Sequence, residues 1–213
     1  MRIESFKTEP DRAGRYWLTL EDGTKLALYR QTVEDFGIYP GRELTEDELQ
    51  SLQEAAGAMS AKMRAVRIVA ASNVSKKDLK QRLIQKGENP ADAADAVAWM
   101  EEMHLVDDAE TARQVVSRSI AKGYGLSRAK QALYEKQIPK RYWDAALADY
   151  PDQSQHITAF LRSRLTDASD PKQVKKAVDA LLRRGHNYSE IRRCLQQLSA
   201  EPEESPEDNE WQM

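Results

Sequence analysis

One landmark recurs three times along this chain of 213 residues. Leu83-Ile84-Gln85-Lys86-Gly87 is echoed by Leu133-Tyr134-Glu135-Lys136-Gln137-Ile138, and again by Leu181-Leu182-Arg183-Arg184-Gly185. The spacings are 50 and 48 residues. A period of that size describes stacked helical units, because one such unit cannot bury its own apolar face and relies on its neighbours. Arrays of this kind present a long surface to another macromolecule, so the pattern points to binding and away from catalysis.

Apolar spacing resolves each unit into three helices. In the first, Ala65, Ile68 and Val69 make one stripe. Leu79 and Leu83 make a second behind the N-cap candidate Ser75, and Ala93, Val97 and Met100 make a third after Asn89-Pro90. The second unit opens at Asp107-Asp108 with Ala112, Val115 and Val116, breaks at Gly123-Tyr124-Gly125, and continues through Ala129 and Leu133 to Tyr142, Trp143 and Leu147. The third carries Ile157 and Leu161, then Val174, Ala177 and Leu181 behind Asp170-Pro171, then Ile191, Leu195 and Leu198. An aspartate followed by proline is a strong helix entry.

The start of the chain reads differently. Tyr16-Trp17-Leu18-Thr19-Leu20 and Lys25-Leu26-Ala27-Leu28-Tyr29 flank an Asp22-Gly23 turn, which predicts a hairpin, with residues 3–7 as a candidate third strand. Thr45 and Glu48 have capping-box spacing and open a helix expected to end near Met59. The expected fold is mainly α: tandem three-helix repeats in an elongated curved array behind a small β-hairpin region. The expected divisions are 1–60, the repeats 61–106, 107–154 and 155–198, and a disordered acidic tail over 199–213.

Charge follows the same divisions. Residues 1–60 carry a net charge of −5, residues 61–198 of +8, and residues 199–213 of −6. A basic array between acidic ends suits a nucleic acid or an acidic protein face, while its ends weaken indiscriminate binding to DNA. Each unit has its own cations: Lys76, Lys77, Lys80, Arg82 and Lys86, then Arg128, Lys130, Lys136, Lys140 and Arg141, then Lys172, Lys175, Lys176, Arg183 and Arg184. Such a track can contact phosphates without reading bases, or can meet acidic patches on a protein polymer.

Catalytic chemistry has little support. The sole cysteine, Cys194, excludes a disulfide framework; it lacks a base partner and is expected to be a semi-buried structural residue. His104, His156 and His186 show no ligand spacing and are expected at partly exposed turns. Adjacent carboxylates at Glu101-Glu102 and Asp107-Asp108 do not by themselves surround an ion. Gly123-Tyr124-Gly125 lacks the third glycine and preceding strand of a dinucleotide fingerprint. The expectation is a non-enzyme without cofactor or metal. No apolar run approaches a membrane span and no signal sequence opens the chain, so a cytoplasmic protein is expected. Trp99, Trp143 and Phe160 are expected to pack between helices, whereas Tyr124, flanked by glycines, is a candidate for a partner surface.

Taken in order, several segments resemble the RecX regulatory family. The first is residues 75–87, Ser75 through Asp78-Leu79 to Lys86-Gly87; the second is Leu105-Val106-Asp107-Asp108-Ala109; the third is Gly123-Tyr124-Gly125 followed by Leu133 and Lys136-Gln137-Ile138. The chain departs from the family pattern around Ala71 and Ser72, at Thr111, and at Gln137 where the family's second KG pair has glycine. The resemblance implies a regulator of homologous recombination that binds the RecA recombinase and its filament on single-stranded DNA. It implies restraint of ATP turnover, strand exchange and filament growth, a monomeric protein, and weak direct contact with DNA. The partner-binding candidates are Lys76, Lys77, Lys80, Lys86, Tyr124, Arg128, Lys130, Lys136, Lys175 and Arg183. Two alternatives stay open: an independent DNA-binding protein with a basic helical surface, and a repeat scaffold for another protein.

Overall fold

The computed structural model describes residues 1–167 and 169–200. The chain separates into two compact units, the first Met1–Thr111 and the second beginning at Ala112. The architecture is mainly α, with three-helix repeats behind a small antiparallel sheet.

In the first unit, strands β1 (Ile3–Phe6), β2 (Tyr16–Leu20) and β3 (Lys25–Leu28) lie in chain order. Tyr16 pairs with Leu28 and Leu18 with Leu26 across the predicted hairpin. Gly23 takes φ +83° in its turn, a conformation glycine adopts without a side-chain penalty. Period-two alternation puts Ile3, Leu18, Leu20 and Leu28 on one buried face. They pack with Ile38, Leu44, Leu52 and Ala56, which supplies the third surface that a bare hairpin lacks. A short helix α1 (Arg30–Asp35) follows.

Helix α2 (Glu46–Ala71) opens with the expected capping box: Glu48 N–H donates to Thr45 Oγ1 at 3.2 Å, and Thr45 N–H donates to Glu48 Oε2 at 2.9 Å. It does not stop near Met59. Gly57 keeps a helical backbone and no proline interrupts the segment, so Ala56, Ala61, Ala65 and Ile68 continue one buried stripe, and the opening helix and the first repeat helix are a single 26-residue element. That element shares its first half with the sheet and its second half with α3 (Lys76–Gln85) and α4 (Pro90–Glu102). The core of this repeat joins Ala61, Ala65 and Val74 to Leu79, Leu83, Ala96 and Met100. Replacing a fully buried leucine such as Leu83 by alanine costs about 2–5 kcal/mol.

Helix α5 (Asp108–Ala121) starts at the end of the first unit. The second unit continues through α6 (Leu126–Glu135), a 3-10 turn at Lys140–Tyr142, α7 (Trp143–Leu147), α8 (Ser154–Arg164), α9 (Pro171–Arg183) and α10 (Tyr188–Ala200). Asp170 caps α9 by accepting from Lys172 N–H at 2.8 Å, as the Asp-Pro pair predicts. Ala112, Val116 and Leu133 centre one core; Ile157, Leu161, Leu181, Ile191 and Cys194 centre the other. Ser199 and Ala200 belong to α10, and residues 201–213 of the expected acidic tail lie outside the described residues.

Candidate functional site

The middle helices α3, α6 and α9 occupy equivalent places in the three repeats, and each points a leucine inward: Leu83, Leu133 and Leu181 are buried. The next residue in each is large, apolar and exposed. Ile84 is 40% exposed, Tyr134 69% and Leu182 43%. Aliphatic and aromatic side chains recurring on the outer face are not explained by the repeat cores, which they do not enter.

Helical spacing places cations on the same face of each helix as its exposed apolar residue. Lys77, Lys80 and Ile84 are three and four residues apart on α3, so they share a face. Lys130 precedes Tyr134 by four on α6, and Lys175 precedes Leu182 by seven on α9. Lys77, Lys80, Lys130 and Lys175 are all exposed. In all three repeats an exposed apolar residue follows an exposed lysine by one or two helical turns.

The remaining basic candidates divide. Lys86 and Arg183 are exposed. Lys76 is drawn inward: its Nζ lies 2.6 Å from Glu101 Oε1, and its backbone N–H donates to Asp108 Oδ1 at 2.9 Å. Arg128 pairs with Glu135 at 3.0 Å, which helps hold the Glu135 carboxyl below its ordinary range, together with a hydrogen bond from Gln131. Lys136 is half-buried and has a partner of its own. Tyr124 is half-buried, and its carbonyl accepts from the Tyr150 hydroxyl at 2.6 Å. These four spend at least part of their bonding capacity inside the protein.

Gly123-Tyr124-Gly125 is a packing device. Gly123 has φ +62°, and a Cβ there would press into the His156 ring, 2.7 Å from Cδ2. A Cβ on Gly125 would collide with the Gly185 carbonyl, and one on Gly185 with the Arg128 backbone. Gly125 N–H donates to Arg184 O at 3.0 Å, so the backbones of the second and third repeats meet directly. His186 completes this joint and corrects the expectation of a partly exposed histidine. It is buried, its Nε2 donates to Gly123 O at 3.0 Å, and its Nδ1 has no hydrogen-bond partner. Burial holds its pKa below the ordinary value.

Cys194 is fully buried in the last core, more than the semi-buried position expected, because Ile157, Leu161 and Leu181 close over it. Trp99, Trp143 and Phe160 are partly buried against their repeat cores, as packing residues should be. Among the described residues, no group of three His, Cys, Asp or Glu is placed to hold a metal ion, and no helix is long and apolar enough to cross a membrane.

The sequence reading does not single out Ile84, Tyr134 and Leu182 as exposed apolar residues, although their signal sits in the landmark itself. Each follows the buried leucine directly, and in a helix a neighbour at i+1 lies about 100° around the axis.

The fold is that of a tandem three-helix repeat protein. The chain is 25% identical over 204 residues to regulatory protein RecX of Clostridioides difficile, covering 92% of this chain and 94% of that one. It is 28% identical over 149 residues to regulatory protein RecX of Vibrio campbellii, covering 68% and 95%. Over 96 residues it is 34% identical to that of Cronobacter sakazakii, covering 40% and 58%. A crystal structure of regulatory protein RecX superposes with a TM-score of 0.61 at 19% identity, covering 90% of this chain and 98% of that one. The crystal structure of RecX from Lactobacillus salivarius gives 0.60 at 18% identity, covering 68% and 98%. No protein-family model matches the chain. In sequence the chain is similar to these RecX regulatory proteins, and its fold is theirs.

Proposed function

We propose that this protein is a non-catalytic, cytoplasmic, monomeric regulator of homologous recombination that binds the RecA recombinase and its filament on single-stranded DNA. Bound there, it lowers ATP turnover, strand exchange and filament growth. The likeness to RecX regulatory proteins supports the partner. The single observation that supports the mode of binding is that exposed Ile84, Tyr134 and Leu182 recur at the same place on α3, α6 and α9, each one or two turns after an exposed lysine. A partner built from identical protomers offers the same patch again and again, and a ligand with three similar faces gains by effective concentration once the first is engaged. The apolar members favour a protein partner over bare DNA, since phosphates have no use for an isoleucine or a leucine. The binding units are the repeats over 61–106, 107–154 and 155–198.

Co-sedimentation with RecA assembled on single-stranded DNA tests this. The triple substitution I84E, Y134E and L182E should weaken binding at least tenfold while helicity stays unchanged, because all three side chains face out. If the triple variant binds as the parent does, or if bare DNA is bound as tightly as the filament, the filament reading fails and an independent DNA-binding protein takes its place.

A further inference from the structure

A cleft of about 460 Å³ in the first unit gathers Arg15, Arg64, Arg67, Arg82 and Lys86, and no carboxylate lines it. Composition does not explain this grouping. Residues 1–111 contain 15 basic and 21 acidic side chains, so the unit is acidic as a whole. The cations come from three places: the loop before β2, the second half of α2, and the end of α3. Ile68 and Ala71 add an apolar strip, and Ser72 a hydroxyl.

Several of these cations are already held. Arg15 pairs with Asp11 at 2.8 Å and stacks over the Trp17 ring, 5.1 Å from its centroid. Arg64 pairs with Glu88 at 2.5 Å, and Arg82 with Asp78 at 2.8 Å. Arg67 has no carboxylate partner among the described residues; its Nη2 donates to the hydroxyl of the buried Tyr29 at 2.7 Å, and its Nε to Met63 O at 3.1 Å. Lys86 has no ion pair among the described residues and is exposed. Five cations against three carboxylate partners leave two positive charges uncompensated. The guanidiniums are fixed by their partners, so little side-chain freedom is lost when an anion arrives.

We propose that this cleft binds a phosphate group, carried by a single-stranded nucleic acid or by a free nucleotide. Arg67 and Lys86 bring the two positive charges that no carboxylate in the cleft offsets, and a guanidinium that keeps N–H groups beyond its existing bonds can donate them to phosphate oxygens. The strip formed by Ile68 and Ala71 gives an adjoining sugar or base an apolar wall. This goes beyond the filament reading and is measured without RecA, so either can fail while the other stands.

The test is calorimetric titration of the full chain, first with inorganic pyrophosphate and separately with a short oligo-dT. In the R67Q and K86E double variant, affinity for the bound probe should fall at least tenfold. If the oligonucleotide is the probe that binds, the slope of log affinity against log salt should flatten by about 0.7 for each phosphate that the variant no longer neutralises. Loss confined to pyrophosphate identifies a free phosphate ligand, and loss confined to oligo-dT identifies a strand; each supports the site. Should R67Q disturb folding by releasing Tyr29, K86E alone must still weaken binding about threefold or more. Failure of both probes to bind, unchanged affinity in K86E, or tighter binding of poly-glutamate than of either phosphate probe overturns the proposal.

Discussion

The amino ends of α3 and α6 stand at equivalent places in the first and second repeats, and they are capped by opposite means. At α3 the work is done by side chains. Ser75 Oγ accepts from Asp78 N–H at 3.1 Å, and Asp108 Oδ1 accepts from Lys76 N–H at 2.9 Å, both acceptors being buried. At α6 there is no side-chain cap; Gly125 N–H and Ser127 N–H donate to the carbonyls of Arg184 and Gly185 at 3.0 and 3.3 Å. Both arrangements satisfy donors that a helix start leaves open. The first tolerates ordinary backbone spacing, whereas the second needs two backbones in contact and therefore glycine on both sides. The G-x-G segment is the sequence trace of that contact.

Gly185 combines φ +83° with a collision against the Arg128 backbone, so G185A should destabilise the protein by roughly 3 kcal/mol or more. A melting temperature within a degree or two of the parent would show that the joint is not close-packed. At α3 the cost is that of removing a buried acceptor. D108A should cost about 1–3 kcal/mol in urea unfolding, and S75A about 1 kcal/mol. If D108A proves as severe as G185A, the contrast between the two joints is wrong.

Gln137 sharpens the same contrast from the stabilising side. The three landmarks place Gly87, Gln137 and Gly185 at one position, with φ +91°, +55° and +83°. Gln137 alone occupies the left-handed region with a side chain, so Q137G should stabilise by about 0.5–1 kcal/mol, read as a shift in denaturant midpoint. A loss of stability instead would mean that the glutamine side chain's own contact outweighs the backbone strain.

The smallest effect is a pH dependence confined to the α6 joint. Burial holds the folded pKa of His186 below its ordinary 6.5, helped by Arg184 and His156 and opposed by the bond to Gly123 O and by Glu190. As pH falls through about 6.5 the unfolded chain takes up a proton that the folded chain resists, so stability present above that pH declines toward the lower folded value. H186N should flatten this part of a stability curve recorded between pH 5 and 8; an unchanged slope would assign the titration elsewhere.

Much of the fold is legible because it is periodic. Leu83, Leu133 and Leu181 announce the middle helices, Asp22-Gly23 announces the hairpin, and Asp170-Pro171 announces α9. The fusion of the opening helix with the first repeat was not legible, since a helix end is signalled by breakers and caps while continuation leaves no mark. His186 looked like a turn residue because the burial around it comes from Gly123, 63 positions away. The site was legible in part. Lysine counting located the charged helices but could not separate exposed Lys77 and Lys80 from Lys76, whose partner Glu101 lies on another helix. The cleft around Arg67 was invisible because its cations are scattered from Arg15 to Lys86 and meet only after α2 packs against the sheet and α3.

ATP hydrolysis by RecA on single-stranded DNA, followed as this protein is titrated in, measures the proposed regulation directly. Turnover should fall saturably with the parent protein and stay unchanged with the I84E, Y134E and L182E variant. A rate that stays constant up to saturating protein, with the filament intact, would contradict it.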